Sequence, residues 1–263
     1  MKIKELLDYY NNYDEDIRLQ KSKLHNIEYL TTISYIEKII SPSSEILDVS
    51  AGTGIYSFYL ANKGHDVTAG DVVPRFVDIM TEKKKKTSAK VNIYLGDVRD
   101  LSMFSKNSFD VVLCMGPIYH LKEDVERRRA IDQCTKVLKK NGILAVAYIN
   151  KYASYVSNFR RTKDIKDIYN IEAIMDKGYY TEGKEGCFYF SSPEEIENLM
   201  KDYNVNKIYN LGTDGIGYLI GERILNLNEE EYKHWLEYHL RTCENESLLG
   251  YSLHGLFIGE KLD

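Results

Sequence analysis

Apolar positions along this chain follow two rhythms. Within residues 1–40 they recur at three- and four-residue spacing. Ile27, Leu30, Ile33, Ile36 and Ile40 share one helix face, and Pro42 stops the run. The pattern then changes to short apolar runs with little alternation, as strands buried on both faces require. They stand at 45–49 (EILDV), 65–71 (HDVTAGD), 91–97 (VNIYLGD), 109–116 (FDVVLCMG) and 143–150 (ILAVAYIN). Helix-like stretches separate them. GIYSFYLANK follows the first run. PRFVDIMTEKKKK opens with proline and ends in lysines, and ERRRAIDQCTKVLKK closes at Asn141-Gly142. This alternation predicts a doubly wound α/β fold, a Rossmann-like, seven-stranded, mostly parallel sheet with helices on both faces.

After residue 150 the rhythm breaks. Residues 151–190 are rich in Tyr, Lys, Asp and Gly, with no strand signal until CFYF (187–190). SSPEEIENLMKDY reads as a capped helix, with serine, an early proline and glutamates near its positive end. VNKIYNLG (205–212) and HGLFIGEK (254–261) read as the last two strands, with a helix around 229–242 between them. The expected organisation is an N-terminal helical cap over 1–40 and one α/β domain over 41–263. Within that domain, 151–187 is an insertion before the sixth strand, serving as a lid or substrate-side wall.

Composition narrows the function classes. Of 263 residues, 35 are Lys or Arg and 40 are Asp or Glu, a net charge of −5. That argues against a nucleic acid or anionic membrane held mainly through charge. No run approaches the ~20 apolar residues of a membrane helix. The start, MKIKELLDYYNNYDEDIRL, lacks a continuous apolar signal core, so a cytoplasmic location is expected. Cys114, Cys134, Cys187 and Cys243 lie far apart without a CxxC, so neither a zinc ribbon nor a disulfide framework is indicated, and no metal is expected. His234 and His239 share a helix, but five residues is poor spacing for a metal pair. Tyrosine is abundant at 22 copies, and it suits both semi-buried packing and pocket walls.

The strongest chemical signal is Asp48-Val49-Ser50-Ala51-Gly52-Thr53-Gly54, directly after the first strand. Ligands on open α/β sheets sit beyond the carboxyl ends of the strands, and glycines there let backbone approach them closely. Asp71 ends the second strand, where a carboxylate accepts from ribose hydroxyls. Asp97 ends the third and suits an exocyclic amine. Together they make a nucleoside-shaped site. The run from Gly52, G-T-G-I-Y-S, lacks the third glycine of a dinucleotide motif. Asp48 would repel a pyrophosphate but attract an ammonium and a sulfonium. S-adenosyl-L-methionine carries both cations, so charge favours it over NAD. Taken singly, each aspartate also fits a turn or cap.

The order I-L-D-V-S-A-G-T-G, a strand-end Asp, G-D-V-R-D-L and F-D-V-V-L-C-M-G-P-I-Y-H-L resembles the class I S-adenosylmethionine-dependent methyltransferases. It is similar in particular to a bacterial small-molecule group whose fourth strand ends in a G-P-(L/I)-Y-H-L run. The resemblance covers about residues 26–150 and the closing S-x-H-G-L-F-I-G-E-K segment. Ser50 departs from it, standing where the family has glycine.

The resemblance implies roles. Asp48 would anchor the methionine amino group, directly or through water. Ala51, Gly52 and Gly54 would line the methionine and ribose, Asp71 would hold the ribose, and Val72, Asp97 and Val98 would meet the adenine. Cys114, Met115 and Gly116 would run along the methionine portion, although Cys114 also reads as a small buried hydrophobe. Tyr119 and His120 would face the acceptor, or else pack the strand-to-helix turn. If a base is needed, His120 is the first candidate and Tyr119 the second.

The place after the fourth strand reads Met115-Gly116-Pro117-Ile118, without the (N/D/S)-P-P-(Y/F) run of adenine or glutamine methylation, and no proline precedes a cysteine as in cytosine C5 methylation. A small-molecule acceptor partner is therefore expected. Tyr9, Tyr13 and Arg18 from the N-terminal segment and Tyr152 from the insertion are expected around it. The implied activity is methyl transfer to a small-molecule N or O acceptor by in-line displacement. The alternative is a non-catalytic S-adenosylmethionine-binding regulatory module.

Overall fold

The computed structural model describes residues 3–181 and 186–262. Three helical pieces open the chain: α1 (Ile3–Asn11), a 3₁₀ turn (Glu15–Gln20) and α2 (Lys23–Ile39). Then β1 (Glu45–Asp48), α3 (Ile55–Asn62), β2 (Asp66–Asp71), α4 (Pro74–Lys84), β3 (Val91–Leu95), β4 (Phe109–Cys114), α5 (Asp124–Val137) and β5 (Leu138–Asn150) alternate. The remainder comprises α6 (Lys151–Arg161), α7 (Ile165–Lys177), β6 (Phe190–Ser191), α8 (Pro193–Lys201) and β7 (Val205–Gly212). Three more helices, α9 (Gly221–Leu225), α10 (Glu229–Thr242) and α11 (Glu246–Leu249), precede β8 (His254–Lys261).

The sheet order is β3-β2-β1-β4-β5-β8-β7. Strands β1 to β5 pair in parallel, and β8 runs antiparallel between β5 and β7. The expected doubly wound α/β fold is present. Its strand count differs by one, because two-residue β6 adds to the end of β5 beside the seven long strands. A pairing that short leaves almost no periodic signal. Strand β5 also starts earlier than expected. Leu138 pairs with Phe109 and is buried, so apolar contact ends the helix at Val137 instead of at the lysines.

Alternation sends neighbouring strand residues to opposite faces. Leu47, Val112, Leu144 and Val146 pack with Ile131, Cys134 and Met200 from α5 and α8. Ile46, Val67, Val111 and Ala145 pack with Ile36, Leu60 and Met80 from α2, α3 and α4. The strand order reverses between β1 and β4, and a cleft opens where neighbouring connections leave in opposite directions. The site forms there.

Several expected helix ends are realised. Pro74 opens α4, and Lys83 and Lys84 close it. Ser192 and Glu195 form a reciprocal capping box on α8. Within 151–187, α6 and α7 form a helical pair, with Ile171, Ile174, Tyr180 and Phe190 making a small separate core. Residues 182–185 of that stretch lie outside the described residues.

Candidate active site

The turn after β1 is bound to the end of β2 through backbone and carboxylate. Ala51 N–H donates to the Gly70 carbonyl at 2.8 Å. Gly52, held at φ +55°, donates to Asp71 Oδ2 at 2.9 Å, and Val73 N–H donates to Asp71 Oδ1 at 2.9 Å. Positive φ at Gly52 explains the glycine, since a side chain there is strained. Burial pushes the Asp71 carboxyl up to about 6, against the pull of those N–H donors.

Asp48 lies one layer beneath the turn and is 1% exposed. Its Oδ2 accepts from Ser57 Oγ at 2.7 Å, while Oδ1 has no hydrogen-bond partner. Burial pushes this carboxyl up to about 7. Ser50 Oγ, also buried, is likewise unpaired. Asp97 is differently held. Burial disfavours its charge, but the Arg99 side chain, at 2.6 Å from Oδ2, and the Arg99 N–H outweigh it and keep the carboxyl below its usual range.

Two adjoining cavities occupy the cleft. The first is walled by Ala51, Gly52, Asp71, Val72, Asp97, Val98, Met115 and Gly116 on the sheet side, and by Leu6, Tyr10, Glu15, Arg18 and Leu19 on the N-terminal side. The second is walled by Tyr9, Tyr13, Glu28, Phe188, Asp214, Tyr218 and His254. Tyr10, Glu15, Arg18 and Tyr119 line both. The N-terminal segment is fastened over them. Arg75 Nη1 donates to the carbonyls of Tyr10, Asn11 and Tyr13 at 2.9, 3.3 and 3.2 Å, and Lys83 binds Asp16 and the Thr53 carbonyl.

His120 and Tyr119 stand at this junction with their polar atoms engaged. His120 Nδ1 lies 3.1 Å from the Cys187 carbonyl, which can only accept, so Nδ1 carries the proton. Nε2 then accepts from the Tyr10 hydroxyl at 2.8 Å. Burial pulls the imidazole down to about 4, so it is neutral near pH 7. The Tyr119 hydroxyl donates to the Met115 carbonyl at 2.7 Å. Arg18 spans both cavities with its guanidinium filled, by Glu28 at 2.8 and 3.1 Å and by Glu15 at 3.0 Å.

Four expected site residues lie off the cavity walls. Asp48 is behind the turn, as described. Gly54 begins α3 at φ +86°, where a Cβ would come within 2.9 Å of the Phe58 ring. Cys114 is fully buried in the core cluster with Cys134. Tyr152 requires correction as a pocket residue. The Asn150 side chain caps α6 by accepting from Tyr152 N–H, and that phase leaves the ring 38% exposed and facing Gly250. Sequence reasoning missed Glu15, Glu28, Phe188, Asp214 and His254. The available signal was position: β8 is antiparallel, so its first residue returns to the edge where β1, β4 and β5 end.

Residues 47–146 match the family model described as a methyltransferase domain. A ubiquinone biosynthesis O-methyltransferase from Xanthomonas campestris is 31% identical over 114 residues, covering 43% of this chain and 46% of the relative. A glycine/sarcosine N-methyltransferase from Parasynechococcus marenigrum is 32% identical over 106 residues, covering 40% and 38%. The chain spans about half the length of the first of these curated relatives, and less of the second. An S-adenosylmethionine-dependent methyltransferase structure from Methanosarcina mazei superposes with a TM-score of 0.60 at 18% identity, over 87% of this chain and 97% of that one. The Burkholderia thailandensis 1,6-didemethyltoxoflavin-N1-methyltransferase gives 0.59 at 12%, over 99% and 89%. The chain thus has the doubly wound fold of these class I methyltransferase structures, as expected from the strand pattern. Among the described residues no helix is long and apolar enough to cross a membrane, and no group of three or more His, Cys, Asp or Glu is placed to hold a metal ion.

Proposed function

We propose that this chain is an S-adenosylmethionine-dependent methyltransferase acting on a small organic N or O acceptor. The observation that carries this reading is the pair of adjoining cavities: one edged by strand-end carboxylates at the sheet's switch point, the other walled by aromatic rings. The residues fit the cofactor. Asp71 offers carboxylate oxygens for ribose hydroxyls, Gly52 leaves the approach open, and Gly96, Asp97 and Val98 form the adenine side. The unpaired Asp48 Oδ1 and Ser50 Oγ are buried polar atoms near the cationic end of the cofactor in this reading.

When bound, S-adenosylmethionine supplies a methyl group already activated by a positive sulfur. The chain's contribution is then orientation and exclusion of water. Met115 and Gly116 line the cofactor cavity. Tyr10, Glu15, Arg18 and Tyr119 form the shared wall. The N-terminal helices act as the cap, and Phe188, just beyond the 151–187 insertion, walls the acceptor side; no described residue of 151–187 lines either cavity. His120, neutral and hydrogen-bonded by Tyr10, orients that tyrosine at the junction.

Two measurements test the reading. Calorimetry should give saturable binding of S-adenosylmethionine and none of NAD. Methyl-labelled cofactor, incubated with the protein and a small-molecule extract, should lose label to an organic product. Binding without transfer would instead identify a non-catalytic regulatory module.

A further inference from the structure

None of the roles above uses His254. Strand β8 pairs antiparallel with β5, and its first residue sits opposite Ile149 at the sheet edge that bears the site. There the imidazole lines the second cavity. Its Nδ1 lies 2.7 Å from Asp214 Oδ2 and 3.5 Å from Glu28 Oε2. Asp214 Oδ1 in turn accepts from the His254 N–H at 3.1 Å and the Ser252 hydroxyl at 2.6 Å. A carboxylate so anchored holds the Nδ1 proton and fixes the ring. The side chain retains 32% of its surface, and Nε2 has no hydrogen bond among the described residues.

The neighbours of this dyad indicate what it meets. Tyr9 and Tyr13 stack at 5.5 Å, and Phe188 stands edge-on to Tyr9 at 5.2 Å, which gives a recess suited to a flat ring. The Tyr218 hydroxyl, on the same cavity, is buried without a partner. The carboxylates are engaged, with Glu28 and Glu15 on Arg18 and Asp214 on His254 and Ser252. With each carboxylate already accepting from Arg18, His254 or Ser252, none is left over to hold an ammonium, whereas the imidazole Nε2 and the Tyr218 hydroxyl can meet a hydroxyl. A neutral hydroxyl would not be repelled.

Resting on the methyltransferase reading, we propose that the acceptor is a hydroxylated aromatic ring seated against Tyr9, Tyr13 and Phe188, and that His254, oriented by Asp214, takes the hydroxyl proton. The acceptor O–H bond breaks and its proton passes to Nε2. The oxygen pair forms the bond to the methyl carbon. The carbon–sulfur bond breaks with its pair left on sulfur, so the positive charge of the sulfonium is exchanged for that of the imidazolium.

The pH dependence follows from the groups around the ring. Burial opposes charge on His254, but Glu28 and Asp214 outweigh it, with Arg18 pulling the other way, and the imidazole is pushed up to about 9. Glu15 and His25 are also within electrostatic reach. The base form is therefore the minor one at neutral pH.

The test uses catechol as the hydroxylated probe and phenethylamine as the amine probe, with the full chain and labelled cofactor. In wild type, transfer to catechol should climb with pH along a limb near 9. Asp214→Asn and Glu28→Gln each remove a carboxylate that favours the charged ring, so each should move the limb to lower pH. His254→Gln should abolish the limb and cut transfer about 10²- to 10⁴-fold, the range for losing a general base. Its cofactor affinity should stay near wild type, while its melting temperature should fall at neutral pH because Asp214 and Glu28 lose their cationic partner; the limb shifts in Asp214→Asn and Glu28→Gln are the readout that a merely structural role would not produce. The proposal is overturned if the limb is the same in all variants, if phenethylamine is methylated in preference, or if a protein that binds cofactor leaves catechol unmethylated. Failure of wild type to bind S-adenosylmethionine at all would instead overturn the methyltransferase reading.

Discussion

The Tyr10 hydroxyl meets His120 Nε2 at 2.8 Å, joining the first helix of the chain to the turn after β4. This bond occupies the imidazole lone pair that a general base would use. Tyr10→Phe would leave a buried acceptor unpaired, at a cost of about 1–3 kcal/mol. Urea unfolding at neutral pH should show that loss. If Tyr10→Phe unfolds at the wild-type midpoint, the Tyr10–His120 bond contributes nothing to holding the cap.

The buried imidazole also sets a direction with pH. The folded-state pKa of His120, about 4, lies below the usual 6.5. Between those values the unfolded chain binds more protons, so this group's contribution falls as pH drops through the window. Asp48 and Asp71 act oppositely, because burial raises both. His120→Gln should therefore flatten the acid side of the stability profile between about pH 6.5 and pH 4. An unaltered slope in that range would show that His120 is not held neutral by the fold.

The strand-end acids and the glycine turn were legible because they are local. A β-strand, a tight turn and a helix are contiguous, so Asp48, Gly52, Asp71 and Asp97 announce their places by order alone. The second cavity was not legible in this way. Arg18 meets Glu28 across two helical segments, and His254 meets Asp214 across the two strands at one edge, with α9, α10 and α11 between them in sequence. No spacing rule encodes such pairs. Tyr152 failed for a related reason: a side-chain cap from Asn150 set the helix phase, and composition carries no phase.

Burial makes the charged form of Asp48 costly in the folded chain. A carboxyl normally near 3.8 is pushed to about 7 by burial, so above that pH its ionisation costs stability. Asp48→Asn removes the charge and retains an oxygen to accept from Ser57. The variant should be more stable at pH 8, by up to about 4 kcal/mol from the size of the shift. It should also bind S-adenosylmethionine more weakly, because an anion near the ammonium is lost. Melting and calorimetry at pH 8 should therefore move in opposite directions. A variant that is less stable and binds normally would contradict both halves.

Asp71 combines two duties, holding the Gly52 and Val73 amides and offering oxygen to a ribose. Asp71→Ala should weaken cofactor binding roughly ten- to a hundredfold, equivalent to about 1.5–3 kcal/mol for hydrogen bonds to a charged acceptor. Because the turn also loses its anchor, exchange of the Gly52 amide should accelerate. Unchanged affinity in calorimetry would remove Asp71 from the cofactor site.

The N-terminal segment closes both cavities, and besides the Tyr10–His120 and Arg18–Glu28 contacts two α4 residues fasten it. Arg75 grips three carbonyls at the end of α1, and Lys83 binds Asp16 and Thr53. Among described residues 3–20, Leu6 and Leu19 are the buried apolar anchors, a small number for so long a segment. Few buried contacts mean a low local opening free energy. Arg75→Ala should lower that energy further without disturbing the sheet, since among the described residues its side chain is hydrogen-bonded to the cap carbonyls alone. Hydrogen exchange over residues 3–20 should then quicken, while amides of β1, β4 and β5 keep wild-type protection. In wild type, S-adenosylmethionine should slow exchange in the same segment, because Tyr10, Glu15 and Arg18 wall its cavity. Methyl transfer should fall more in Arg75→Ala than cofactor affinity does, because the cap also supplies Tyr9 and Tyr13 to the acceptor side. If exchange in residues 3–20 ignores both the cofactor and the Arg75 substitution, the segment is a fixed wall and the acceptor enters without a closing step.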